Sequence, residues 1–182
     1  MITGAPLQPG VGRPAVPEEP VETLHASAVV AAPGVVALCA RSGTGKSTLA
    51  RRLHRRGYAI WEDDAVVWTA SPVDGILTLA PGAETDTRPL AAVFVLERID
   101  GNITPIANIE MGSAALTSVL PHAHLHPADD RRQREFLLRY IQLAATVPVV
   151  RVRFQPDASR IDALCDVIEQ QFARIHACAA AV

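Results

Sequence analysis

Ala40-Arg41-Ser42-Gly43-Thr44-Gly45-Lys46-Ser47-Thr48 decides how the rest of the chain is read. The apolar run Val35-Val36-Ala37-Leu38-Cys39 ahead of it predicts a buried strand. Leu49 to Arg56 behind it predicts a helix that stops at Gly57. Strand, glycine-bearing turn and helix, with Gly45-Lys46-Ser47 at the junction, make a phosphate-binding P-loop in its required context. Gly43 and Gly45 let successive backbone N–H groups curl around phosphate oxygens, and the helix N-terminus adds partial positive charge. Lys46 brings a mobile cation to the same oxygens, and the Ser47 hydroxyl suits the shell of a Mg²⁺ ion. Arg41, Ser42, Gly43, Thr44, Gly45, Lys46, Ser47 and Thr48 are therefore expected to hold a nucleoside triphosphate, ATP with Mg²⁺. Ala40 departs from the pattern, standing where such a loop normally begins with Gly; its Cβ is tolerated where φ stays negative. A dinucleotide fingerprint is excluded, because Thr48 holds the place of the third glycine.

The 182 residues, 49% hydrophobic and 20% charged, suit one domain with a sizeable core. A formal net charge of −2 gives no support for a nucleic-acid binder. No apolar run reaches membrane-spanning length and no signal-peptide pattern opens the chain, so no membrane partner is expected. Cys39, Cys165 and Cys178 show neither metal-ligand nor CxxC spacing, and a reducing cytoplasm is the expected compartment. Residues 1–20 hold five prolines and three glycines and read as a mobile leader; residues 21–182 read as the domain.

From Leu24 to Val30 a strand is expected, with Pro33-Gly34 as the turn into the P-loop strand. His25 opens that strand, and a hairpin brings it beside the P-loop. Arg51, Arg52, Arg55 and Arg56 cover the outer face of the helix after the loop, either as a solvated face or as a basic patch. Tyr58 to Trp61 reads as a buried strand running into Glu62-Asp63-Asp64, which sets two carboxylates on the rim shared with the P-loop. Neighbouring carboxylates on an extended chain face opposite ways, so one suits Mg²⁺ and the other suits the proton of an attacking hydroxyl. Ala65–Ala70 and Ile76–Ala80 read as a hairpin, and Pro81–Pro89 as a loop that either covers the site or merely connects. Further strands are expected at Leu90–Leu96, Ile103–Ala107 and Val147–Phe154, the last with Arg151 and Arg153 outward. Helices are expected at Ser113–Leu120, Asp129–Ala145 and Ser159–Ala181. His122, His124 and His126 alternate between prolines and read as a surface connector more readily than as metal ligands.

The combination of His25, the P-loop residues Ser42, Gly43, Gly45, Lys46 and Ser47, Arg56-Gly57 and Asp63-Asp64 resembles the catalytic domain of HPr kinase/phosphorylase. The resemblance covers about residues 24 to 70 and is more specific than a P-loop alone. It implies an α/β fold, the P-loop core shared with phosphoenolpyruvate carboxykinases, with a mixed sheet and flanking helices. It implies Asp63 as catalytic acid/base assisted by His25, Lys46 acting on the transferring phosphoryl group, and Asp64 with Ser47 at the metal. The acceptor it implies is a serine hydroxyl on a protein or peptide, and a homo-oligomer is compatible with it. The family's second signature, Glu-x-Arg-Gly-x-Gly, has no equivalent in Gly75 to Pro89, and Ala26 replaces the Gly that usually follows the His. No counterpart of the family's large N-terminal domain is expected within these 182 residues. The chain is thus similar to a short, kinase-only branch, some members of which act on precursor peptides in lasso-peptide maturation, and phosphorylase activity is not expected.

Two alternatives remain at this stage. A small-metabolite kinase similar to shikimate or gluconate kinases also places an Asp after the P-loop helix, but starts at the P-loop strand and follows the Asp with helix. A nucleotide-binding regulator without transfer activity is the other.

Overall fold

The structure, a computed structural model, describes residues 21–71, 75–79, 87–101, 103–124 and 130–179. The expected leader (1–20), residues 81–86 of the expected loop and His126 lie outside them.

The strand leading to the P-loop, β3 (Gly34–Ala40), is buried along its whole length. Val35, Ala37 and Cys39 enter one core while Val36, Leu38 and Ala40 enter another, as strict alternation in a doubly covered strand requires. On one side β3 pairs antiparallel with β2 (Ala26–Ala31), which pairs antiparallel with the edge strand β4 (Ala59–Asp63). On the other it pairs parallel with β7 (Thr87–Arg98), beyond which lie β9 (Val149–Phe154), parallel, and β8 (Ile106–Glu110), antiparallel. β3 and β4 both run opposite to β2, so their C-terminal ends share one rim.

A smaller antiparallel sheet branches from the start of β7. Thr87–Pro89 pair with β6 (Gly75–Leu79), β6 with β5 (Val66–Ser71), and β5 with β1 (Glu22–Leu24). The expected first strand is therefore broken at His25, one half joining each sheet. Thr87–Pro89, expected to be loop, is strand because β6 supplies its partner. Gly34 permits the crossing of the two sheets: a Cβ there would lie 2.2 Å from the Pro89 carbonyl oxygen.

Helices α1 (Lys46–Arg55) and α4 (Ile161–Ala179) cover one face of the main sheet, contributing Leu49, Leu53, Leu164, Ile168 and Phe172 to its core. Helices α2 (Gly112–Val119) and α3 (Asp130–Thr146) cover the other with Ala115, Val119, Tyr140 and Leu143, together with Trp68 of the small sheet. Among the described residues no helix is long and apolar enough to cross a membrane.

Three expectations need correction. β4 is an exposed edge strand and not a buried one, since the sheet ends there. Arg52 and Arg56 form neither a solvated face nor a patch: they reach across to α4, Arg52 forking onto Asp162 and Arg56 bonding Asp162, Asp166 and Glu169 at 2.6–2.9 Å. Arg151 does not face solvent either; its guanidinium donates to Glu110 and Ser118, both at 2.6 Å.

Candidate functional site

The loop follows β3 without strain at Ala40, whose φ is negative as an extended residue requires, so the missing glycine has no backbone consequence. Gly43 (φ 75°) and Gly45 (φ 103°) take left-handed conformations that let the turn from Arg41 to Thr44 roll into α1. Gly45 is the residue before the helix, and no side chain caps the leading N–H groups of α1. The first turn of α1 also carries no acidic residue. A helix that opens this way presents its N–H groups and dipole to an anion. Arg98, at the end of β7, donates to the Gly43 carbonyl oxygen at 3.2 Å and anchors the loop from the neighbouring strand.

Lys46, although at a helix start, is only 7% exposed, and its Nζ lies 2.8 Å from His25 Nε2. An ammonium only donates, so His25 Nε2 accepts and the ring proton sits on Nδ1. That Nδ1 is 3.1 Å from the Asp64 carbonyl oxygen and 3.2 Å from its carboxylate Oδ1. The break between β1 and β2 turns His25 toward this rim, its amide held by the His122 carbonyl oxygen at 2.7 Å. Asp64 has φ 101°, the one positive value among described residues other than glycine, and this folds its carboxylate back onto His25.

Asp63, the last residue of β4, has different partners. Its Oδ1 accepts from Ser27 Oγ at 2.6 Å and Ser47 Oγ at 2.8 Å, while Arg51 stands 4.0 Å from Oδ2. Burial pushes this carboxyl up, but the Ser27 and Ser47 hydroxyl bonds and the charges of Arg51 and Lys46 outweigh it and hold it below its ordinary value. The structure thus joins Ser47 to Asp63 and His25 to Asp64, whereas the resemblance pairs Ser47 with Asp64 and His25 with Asp63.

Sequence reasoning missed four contributors. Ser27 lies two residues beyond His25 on an alternating strand, fully buried with its hydroxyl on Asp63. Arg98 ends the strand parallel to β3, a position from which a side chain reaches the rim. Of the expected surface connector, His122 is buried against the site, whereas His124 stays exposed beside it. The His124 ring stands edge-on to His25 at 6.1 Å, and His124 bonds the Thr23 carbonyl. His122 is buried; desolvation first, then the charges of Lys46, His25 and Arg41, push its imidazole below its ordinary value. Among the described residues no group of three or more His, Cys, Asp or Glu side chains gathers as a metal cage.

No family model matches the sequence, and no curated protein matches it. Among solved structures the chain matches the HPr(Ser) kinase/phosphatase from Coxiella burnetii, with a TM-score of 0.50 over 84% of this chain and 97% of that one, at 12% identity. The chain has the fold of that kinase/phosphatase. In this fold the rim carrying the P-loop, His25, Asp63 and Asp64 lies where β3 and β4 end, and the mixed sheet with flanking helices agrees with the architecture expected from the sequence.

Proposed function

We propose that this chain is an ATP-dependent kinase that transfers the γ-phosphoryl group to a serine hydroxyl of a protein or peptide, without the reverse phosphorolysis. The observation that carries this reading is the chain of contacts from the phosphate-binding Lys46 through His25 to Asp64, set beside the Ser47–Asp63 pair. A hydroxyl bond from the P-loop serine to a nearby carboxylate is the arrangement that suits Mg²⁺, which keeps several waters and takes one or two protein oxygens. Ser47 and Asp63 would hold the ion, which supplies neutralising charge to the phosphates. A carboxyl held below its ordinary value is a good metal partner and a weak proton acceptor, so Asp63 fits this role better than that of base.

Asp64 is then the base: its side chain is 80% exposed, open to an incoming acceptor, and His25 orients it. The acceptor oxygen forms a bond to the γ-phosphorus as the bond from that phosphorus to the β,γ-bridging oxygen breaks. The acceptor proton passes to Asp64, and ADP leaves. Lys46 donates to the phosphoryl oxygens, and its bond to His25 keeps it aimed along the loop.

The test is γ-phosphate transfer from radiolabelled Mg·ATP into an extract of the protein's own host. Label in a protein or peptide band is expected. Asp64→Asn should reduce it by about 10²–10⁴-fold while ATP affinity stays near wild type. Asp63→Asn should instead raise the Mg²⁺ concentration needed for half-maximal rate. Label confined to small metabolites would replace this reading with a metabolite kinase. An Asp64→Asn variant of near-normal rate would return the base role to Asp63.

A further inference from the structure

The register of β4 against β2 changes within the pair. Val30 lies opposite Ala59 and Val29 opposite Ile60, and that register, carried on, would set Glu62 opposite Ser27. A bulge intervenes. It takes up Trp61 as an extra residue of β4, so Ala28 meets Glu62 and Ser27 meets Asp63. The pair brought face to face is the pair that bonds, Ser27 Oγ donating to Asp63 Oδ1 at 2.6 Å. Bulges of this kind re-aim a side chain and are common beside active sites.

Packing gives no reason for a hydroxyl at this position. Ser27 is fully buried, and the rest of β2 is Ala26, Ala28, Val29, Val30 and Ala31, so an alanine would serve the core as well. A hydroxyl taken out of water is costly unless it is bonded, and Asp63 supplies that bond. Asp63 has no matching need of Ser27. Its side chain is 39% exposed at the edge of the sheet, where water can serve its oxygens. What the bond adds for the carboxylate is a fixed direction.

We propose that Ser27 is a positioning residue for the Mg²⁺ of the nucleotide, holding the Asp63 carboxylate so that it and Ser47 meet the ion together. The inference rests on the reading of Ser47 and Asp63 as the metal pair and adds the residue that aims them. Asp63 Oδ1 accepts from two hydroxyls in different surroundings. Ser47 is half-buried in the first turn of α1, beside the loop, and its oxygen is free to turn to an ion. Ser27 lies within the sheet, out of reach of solvent, and its bond stays in place when Ser47 turns. Arg51 does not do this work: it is 67% exposed and 4.0 Å from Oδ2, too far for a hydrogen bond. A ligand oriented in advance loses less freedom when the metal arrives.

The experiment compares affinities for Mg·ADP and for ADP with the metal chelated, by calorimetry on the whole protein. Ser27→Ala should weaken Mg·ADP by about tenfold and leave metal-free ADP unchanged. Ser27→Thr, which keeps the hydroxyl, should restore Mg·ADP binding, with thermal melting to check that each variant folds. Asp63→Ala should weaken Mg·ADP as well, and adding Ser27→Ala to it should change nothing further, because the carboxylate to be aimed is gone. An unchanged Mg·ADP affinity in Ser27→Ala would overturn the proposal. So would an equal loss for metal-free ADP, or the same loss with and without Asp63. A wild type that gains nothing from Mg²⁺ would reject the Ser47–Asp63 metal pair itself, and the role of Ser27 with it.

Discussion

His122 shows how a single residue reports on the charge around this site. Its burial first, and then the charges of Lys46, His25 and Arg41, push its imidazole below the ordinary pKa of 6.5. The folded-state value is lowered, so between it and 6.5 the unfolded chain binds a proton that the folded chain does not. Stability must therefore fall as pH drops below 6.5 and level off once the folded-state value is passed. Melting temperatures from pH 7.5 to 5 should show this slope, and His122→Gln should flatten it. An unchanged slope in the variant would assign the pH dependence to other groups. Nothing in the spacing of the alternating histidines signals this burial, because it depends on His25 and His124 bonding across to residues about 100 positions away. The P-loop was legible because its chemistry is local: Gly45, Lys46 and Ser47 work at fixed spacing. Alternation sets Asp63 and Asp64 on opposite faces of an extended strand, but β4 ends at Asp63 and Asp64 takes a left-handed backbone. Which of them meets Ser47 was not legible, because it turns on the left-handed backbone of Asp64.

Elements follow the same division. The helix after the loop and the hairpin of β5 and β6 were legible in local pattern, whereas the branching of the sheet was not. β7 looks like an ordinary apolar strand from Leu90, yet it starts at Thr87 because β6 lies alongside. The exposed edge position of β4 likewise depends on which strand lies beyond it, a tertiary fact. The junction of the two sheets rests on Gly34, where β3 and β7 come together. A methyl group added there meets the Pro89 carbonyl at 2.2 Å, and backbone must move to admit it. Gly34→Ala should cost about 1–3 kcal/mol by overpacking, read as a lower urea midpoint at unchanged slope. Gly101→Ala is a useful contrast, since no neighbour stands within 4 Å and its cost comes from φ 107° alone. A Gly34→Ala midpoint equal to wild type would mean that the sheets separate easily at this seam.

At the scale of the whole molecule, the two cores share their central strands. β3 and β7 send alternate residues into both, Val93 and Val95 to one side and Ala92, Phe94 and Leu96 to the other. β7 also extends into the small sheet, so neither core can lose its strands without exposing the other. This predicts one cooperative transition despite the two layers of helices. Both tryptophans serve as probes of one side: Trp68 is fully buried in the core under α2 and α3, and Trp61 packs against it. Leu53, fully buried, belongs to the opposite core on α1. Leu53→Ala removes buried methylenes and leaves a cavity, costing about 2–5 kcal/mol. In a domain of this size each kcal/mol lowers the melting temperature by roughly 2–4 °C. The fall should appear equally in tryptophan fluorescence, which senses the far core, and in far-ultraviolet circular dichroism, which senses every helix and strand. If the fluorescence transition stayed in place while the dichroism transition moved, the cores would melt separately. The shared strands would then not couple them, and the P-loop rim could lose α1 while the sheet beneath it stayed folded.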